Sequence, residues 1–237
     1  MLLRKEDIIY TPFYCEENVY NLARTIAEKN PAEINSIYVV FLSNSQQTVP
    51  VWFMRLNEDR SGYPVIWDYH VFLVYKTTSG SYVYDFDTTL PFPTLFEAHY
   101  EATFAPEVEL PERFHRLFRI IPAVEYLKHF ASDRSHMFVT AYTEGHRPIA
   151  TEEGEVEITH AVAATHQHVS PDDPSRYKQP PPPYRAIFTS EHTNNLQSYI
   201  DMQEHTGEFD PRTTSLSGSS ASFNSRNRNP LLVSPDF

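Results

Sequence analysis

The chain has a single cysteine, Cys15, among 237 residues. That excludes an intramolecular disulfide and a cysteine-based zinc site. Basic residues are also scarce: 19 Lys and Arg stand against 31 Asp and Glu, giving a formal charge of −12 and a pI near 5.3. Such a deficit argues against a nucleic-acid-binding surface, which neutralises phosphates with Lys and Arg. No apolar run approaches the length that spans a bilayer. The opening M-L-L-R-K-E-D lacks the apolar stretch of a signal peptide. A soluble intracellular protein, cytoplasmic or also nuclear, is the expectation. Apolar residues make up 41 % of the chain, on the low side, but plentiful aromatics can supply the core of one domain.

What is present centres on residues 64–93. Residues 65–75 and 81–87 are rich in β-branched and aromatic side chains around a short polar segment with Gly80. The pattern predicts a β-hairpin with an irregular loop. Side chains alternate faces along a strand, so Asp68, His70, Phe72 and Val74 share one side. Val83, Asp85 and Asp87 share a side on the return strand. An even number of loop residues would place His70, Asp85 and Asp87 on one face. A buried His and carboxylate must satisfy each other. That bond fixes the imidazole tautomer and leaves the other ring nitrogen as a base.

Upstream, C-E-E-N-V-Y-N-L-A-R-T-I-A-E-K-N-P carries Val19, Leu22, Ala23, Ile26 and Ala27 at helical spacing and stops at Asn30-Pro31. Cys15 therefore falls at a helix N-terminus, where the dipole favours thiolate. Glu16 and Glu17 oppose that by like charge, and an isolated Cys is more often a small buried apolar residue. Strands are expected at residues 37–42, 46–54 and 114–121, and helices at 94–104, 123–130 and 194–202. The core of one domain is expected to span 1–137 and to resume at 180–202. Between them, 138–179 is a low-complexity insertion without sustained period, and 203–237 is a Ser-, Asn-, Arg- and Pro-rich tail; both are expected to be disordered. His160, His166 and His168 in the insertion lack a scaffold for a metal site. Pro180 to Pro183 form an extended segment, either a ligand for a proline-recognising module or a rigid strap.

A Cys at a helix start, a His on a buried strand and an Asp on the partner strand make the set used by thiol hydrolases. Spacing alone leaves this level with a satisfied His–Asp core pair, and it does not choose between Asp85 and Asp87.

Five stretches carry a resemblance: F-Y-C-E-E-N-V at 13–19, V-I-W-D-Y-H-V at 65–71, Y-D-F-D-T-T-L-P-F-P at 84–93, F-A-S-D-R-S-H-M at 130–137 and P-P-P-P-Y at 180–184. Together they resemble the protein N-terminal glutamine amidohydrolase family, over residues 8–137 and 180–202. The resemblance implies an α+β fold, a three-layer α-β-α sandwich around a mainly antiparallel sheet of papain or transglutaminase type. It implies Cys15 as nucleophile, His70 as base and Asp85, rather than Asp87, as orienting carboxylate. It implies conversion of N-terminal glutamine to glutamate with ammonia release, feeding the N-degron pathway, with no metal or other cofactor. The partners it implies are proteins or peptides with a free N-terminal Gln, met by a monomer. A free α-ammonium asks for a carboxylate partner, and Glu17, Asp68 and Glu16 are the candidates. Asp133 and His136 lie in a matching stretch with structural hydrogen bonding as the expected role. Two departures stand out: the insertion is long, and the tail lacks the glycine-containing turn expected after N-L-x-x-x-I-x-M. The rival functions are a non-catalytic binder of N-terminal Gln peptides and a transglutaminase-like acyl transferase.

Overall fold

A computed structural model describes residues 3–60, 62–139, 174–202 and 221–222. The chain divides into two units, Met1–Asp133 with Arg185–Phe237, and Arg134–Tyr184. Most of the expected insertion, including its three histidines, and most of the tail lie outside the described residues.

The first unit is built on a six-stranded antiparallel sheet in the order β6-β5-β4-β1-β7-β8. At its centre β1 (Ile37–Ser43) pairs with β4 (His70–Thr77) on one side and β7 (Leu117–Pro122) on the other. Its run I-Y-V-V-F-L suits a strand covered on both faces. Ile37, Val39 and Phe41 join one apolar cluster, while Val40 and Leu42 join another. The first cluster takes α1 (Cys15–Lys29), α3 (Ala123–His129) and α4 (Leu196–Ile200). The second takes α2 (Phe96–Phe104). Helices on an antiparallel sheet make the fold α+β. No helix among the described residues is long and apolar enough to cross a membrane.

Helix α1 buries Val19, Leu22, Ala23 and Ile26, the stripe expected of an amphipathic helix. It stops at Asn30, whose N–H still reaches Ile26 O at 2.8 Å, because Pro31 cannot continue the ladder. The five-residue α4 is too short to persist alone. Arg119, buried on β7, holds it by donating to the Ser198 carbonyl and, at 2.7 Å, to that of Asp201.

The long strand expected at 65–75 is two strands. β3 (Val65–Trp67) pairs with β2 (Val49–Val51) in a separate small sheet, and the chain bends at Asp68 and Tyr69 before β4 begins. Asp68 therefore does not share a strand face with His70; it is exposed where His70 is buried. The bend is held by Asp68 itself, whose Oδ1 accepts from Tyr69 N at 2.9 Å and whose carbonyl accepts from Ser43 Oγ at 2.6 Å. The hairpin loop is tight rather than irregular. Thr77 pairs with Gly80, leaving two residues between β4 and β5 (Gly80–Tyr84), and Gly80 adopts φ 140°, which favours glycine. An even loop gives the register Leu73↔Tyr84, so Phe72 stands level with Asp85. A further strand, β6 (Thr94–Leu95), precedes α2. Ala221–Ser222, inside the tail, form β8 against Leu117 and Phe118.

In the second unit Phe138 and Tyr177 form a bridge with rings 5.1 Å apart. The Arg134 guanidinium lies 5.3 Å from the Tyr184 ring and reaches the Pro182 carbonyl, so the proline segment is held within its unit as a strap.

Candidate active site

Cys15 is the first residue of α1, delivered by a turn in which Phe13 adopts φ 69°. That left-handed backbone costs a non-glycine residue about 1 kcal/mol. Asn18 holds the turn in place: its Oδ1 accepts from Thr11 N at 2.9 Å and its Nδ2 donates to Thr11 O at 2.8 Å. Asn18 is fully buried. Asn18→Ala strands both backbone groups and is expected to cost about 1–3 kcal/mol, read as a lowered urea midpoint together with reduced turnover.

The Cys15 sulfur accepts from the backbone N–H of Val71, the residue after His70. β5 ends at Tyr84, short of the position that would face Val71. The thiol itself donates to Glu16 Oε2 at 3.6 Å. Burial pushes the thiol up, and repulsion from Glu16, Asp87 and Asp68 adds to this, while the Val71 amide opposes it. Glu16→Gln removes one of those negative charges. It is expected to raise the rate of iodoacetamide alkylation at fixed pH about threefold to tenfold; an unchanged rate would show that Glu16 does not set the thiol's acidity.

His70 opens β4 and is fully buried. Its Nε2 lies 2.9 Å from Asp85 Oδ2. Its other nitrogen, Nδ1, is buried with no hydrogen-bond partner among the described residues. No hydrogen bond joins the thiol to the ring among the described residues; the thiol meets instead the amide of Val71, next to His70 in the chain. Burial alone would lower the imidazole's pKa, yet the charge and hydrogen bond of Asp85, with Asp87 behind it, raise it above its ordinary value. Burial would likewise raise Asp85, but His70 and then His99 hold it well below the carboxylate range.

Of the remaining expectations, Glu16 and Glu17 are fully buried in the first turn of α1. Glu16 Oε2 also accepts from Tyr69 Oη at 3.1 Å. Asp68 faces solvent, yet its charge reaches the thiol. Asp87 accepts from Tyr10 Oη at 2.6 Å, with Lys5 against the same segment through the Phe86 carbonyl. Asp133 Oδ1 accepts from Asn194 Nδ2 at 2.7 Å, a structural bond as expected. The His136 carbonyl accepts from Lys178 Nζ at 3.2 Å. Sequence reasoning missed Tyr10, Tyr69 and the polar role of His99. Only three-dimensional proximity reveals them: Tyr10 and Asp87 are 77 residues apart in the chain.

The profile of the N-terminal glutamine amidase family matches residues 10–222. The chain belongs to that family. It is 33 % identical over 204 residues to the protein N-terminal glutamine amidohydrolase of Homo sapiens, covering 86 % of this chain and 82 % of the human protein. The protein of the same name from Danio rerio is 33 % identical over 200 residues, 84 % of this chain and 82 % of its own length. That of Drosophila mojavensis is 44 % identical over a shorter 132 residues, 55 % of this chain and 64 % of its own. The amidase match runs on through the biased tail to residue 222, where β8 pairs with the sheet.

Proposed function

We propose that this amidase hydrolyses the side-chain amide of an N-terminal glutamine by a thiol mechanism, with Cys15 as nucleophile, His70 as base and Asp85 as its orienting partner. One observation carries the reading. His70 commits Nε2 to Asp85 and keeps Nδ1 open, one residue from the amide that holds the only sulfur nucleophile of the chain. The helices on both faces of the antiparallel sheet support the three-layer arrangement of papain- and transglutaminase-type thiol enzymes.

In this mechanism the Cys15 proton turns from Glu16 to His70 Nδ1, and the sulfur attacks the carboxamide carbon. Backbone N–H groups of the first turn of α1 receive the oxyanion. The imidazolium returns its proton to nitrogen as the C–N bond breaks, and ammonia leaves. Water, activated by His70, cleaves the thioester to glutamate and free thiol. Glutamine and water thus become glutamate and ammonia, with the thiol regenerated. The new N-terminal glutamate would be a substrate for arginylation, which places the reaction in the N-degron pathway of the cytoplasm and nucleus.

Selectivity for a free terminus follows from the charge around the thiol. Glu16, Asp68 and Asp87 all act on Cys15, so an α-ammonium beside it is favoured. Of the three expected partners Asp68 is the exposed one, able to meet an incoming terminus without desolvation, and Glu16 and Glu17 are buried. The test is ammonia release from a Gln-initiated peptide and its α-acetylated form, with alanine at Asp68, Glu16 and Glu17. Release from the free peptide alone is expected. Discrimination left intact in all three variants would remove these carboxylates from substrate recognition.

A second reading has one observation behind it. One ligand atom each of His70, Asp85 and Asp87 lie within 4.8 Å of one another, a spacing that suits a divalent cation. The His70–Asp85 hydrogen bond already uses two of those atoms. Prolonged dialysis against EDTA is expected to leave ammonia release unchanged; a loss restored by added zinc would favour metal-assisted hydrolysis.

A further inference from the structure

We propose that His99 is a positioning residue for the amidase reaction, holding Asp85 so that His70 keeps its base nitrogen unprotonated. The inference rests on the thiol reading above. His99 lies on α2, and Asp85 follows β5, so the contact joins two elements. Its Nε2 is 3.3 Å from Asp85 Oδ2, the same oxygen that His70 Nε2 contacts at 2.9 Å. The second oxygen, Oδ1, accepts from Asp87 N at 3.0 Å. Three donors therefore fix one buried carboxylate. An ionised carboxylate offers no proton, so each imidazole must carry its own on Nε2. Both Nδ1 atoms are then lone pairs, and both are buried with no hydrogen-bond partner among the described residues.

The surroundings make His99 an expensive choice for mere packing. Its ring is 1 % exposed, 5.3 Å from the Phe72 ring and 5.7 Å from that of Phe104. An apolar residue would fill that space without needing a partner. What the imidazole adds is a donor to Asp85. Sharing Oδ2 between two donors weakens the pull of the carboxylate on the His70 proton and prevents it from rotating away. Without His99, Asp85 would hold the His70 imidazolium more tightly, and the base would become available only at higher pH. The titratable and charged groups that act on His70 and Asp85 are Asp87, Tyr10 and Lys5.

The experiment uses the full chain with a Gln-initiated peptide, comparing wild type, His99→Phe, His99→Gln and Cys15→Ala. Nitrogen-15 NMR of labelled histidines in the wild type is expected to show both rings protonated at Nε2. His99→Phe is expected to lower kcat about tenfold with KM within about twofold. Its acid limb of kcat/KM should move up by about half a pH unit. His99→Gln, which keeps an N–H donor, should recover most of kcat. A His99 proton on Nδ1, or a Phe variant matching wild type in kcat and pH profile, overturns the proposal. If the Phe variant does not fold, the wild-type tautomer and the Gln variant decide. Activity retained by Cys15→Ala would instead sink the thiol reading, while the NMR spectrum still reports the His99 bond.

Discussion

Alanine at Cys15 is expected to reduce ammonia release from a Gln-initiated peptide by about 10⁴-fold or more. The loss is so large because no second group can take the sulfur's place. It is the sole thiol of the chain, and it sits where the Val71 amide and the first turn of α1 converge. The protein itself should survive the change. Cys15 is an apolar-cluster residue, 6 % exposed, and removing one atom there costs about 1 kcal/mol. For a chain of this length that lowers Tm by about 2–4 °C. The measurement is therefore a pair: ammonia by a coupled assay, and unfolding of the same preparation. A folded alanine variant that still releases ammonia would refute nucleophilic catalysis by sulfur. A folded variant that binds the peptide without turnover would separate the enzyme from a mere binder of N-terminal Gln. Supplying a primary amine to wild type, with no incorporation expected, separates hydrolysis from acyl transfer.

How much of this was legible in the sequence depends on the range of the interaction. Helix α1 was readable because Val19, Leu22, Ala23 and Ile26 announce their face locally and Pro31 ends it. β1 was readable as a continuous apolar run. The shared face of His70 and Asp85 followed from strand parity once an even loop was assumed, and the two-residue loop supplies it. The bend at Asp68 was not readable, because it depends on Ser43, 25 residues away, and on a small sheet with β2. The choice of Asp85 over Asp87 came from family resemblance, since alternation treats them alike. In three dimensions they differ: Asp85 meets two histidines, whereas Asp87 meets Tyr10. β8 was invisible for a related reason. An edge strand of two residues needs only backbone pairing with Leu117 and Phe118, which composition does not encode.

Asparagine at Asp85 is expected to lower kcat by about 10⁴-fold, close to the loss at Cys15. The argument concerns one proton. Asp85 only accepts, so it draws the His70 proton to Nε2 and leaves Nδ1 free. An asparagine amide can donate to Nε2 instead, and the ring then carries its proton on Nδ1, the nitrogen that the proposed mechanism uses as base. Stability should respond with a definite sign. Asp85 is held well below its ordinary value of 3.8, so its contribution is present above that pH and is lost far into acid. His70 is held above 6.5, so its contribution is full below 6.5 and is lost as pH rises through its folded value. The pair therefore stabilises most in mildly acidic solution. Breaking it should cost about 3–5 kcal/mol near that optimum and less in alkali. Urea midpoints of wild type and Asp85→Asn at about pH 5.5 and about pH 8.5 test this, with the larger gap expected at the lower pH. Equal gaps would mean that the imidazole is not charged against Asp85 in the folded protein. The base would then be neutral already in mild acid, and the acid limb of turnover would have to be assigned to another group.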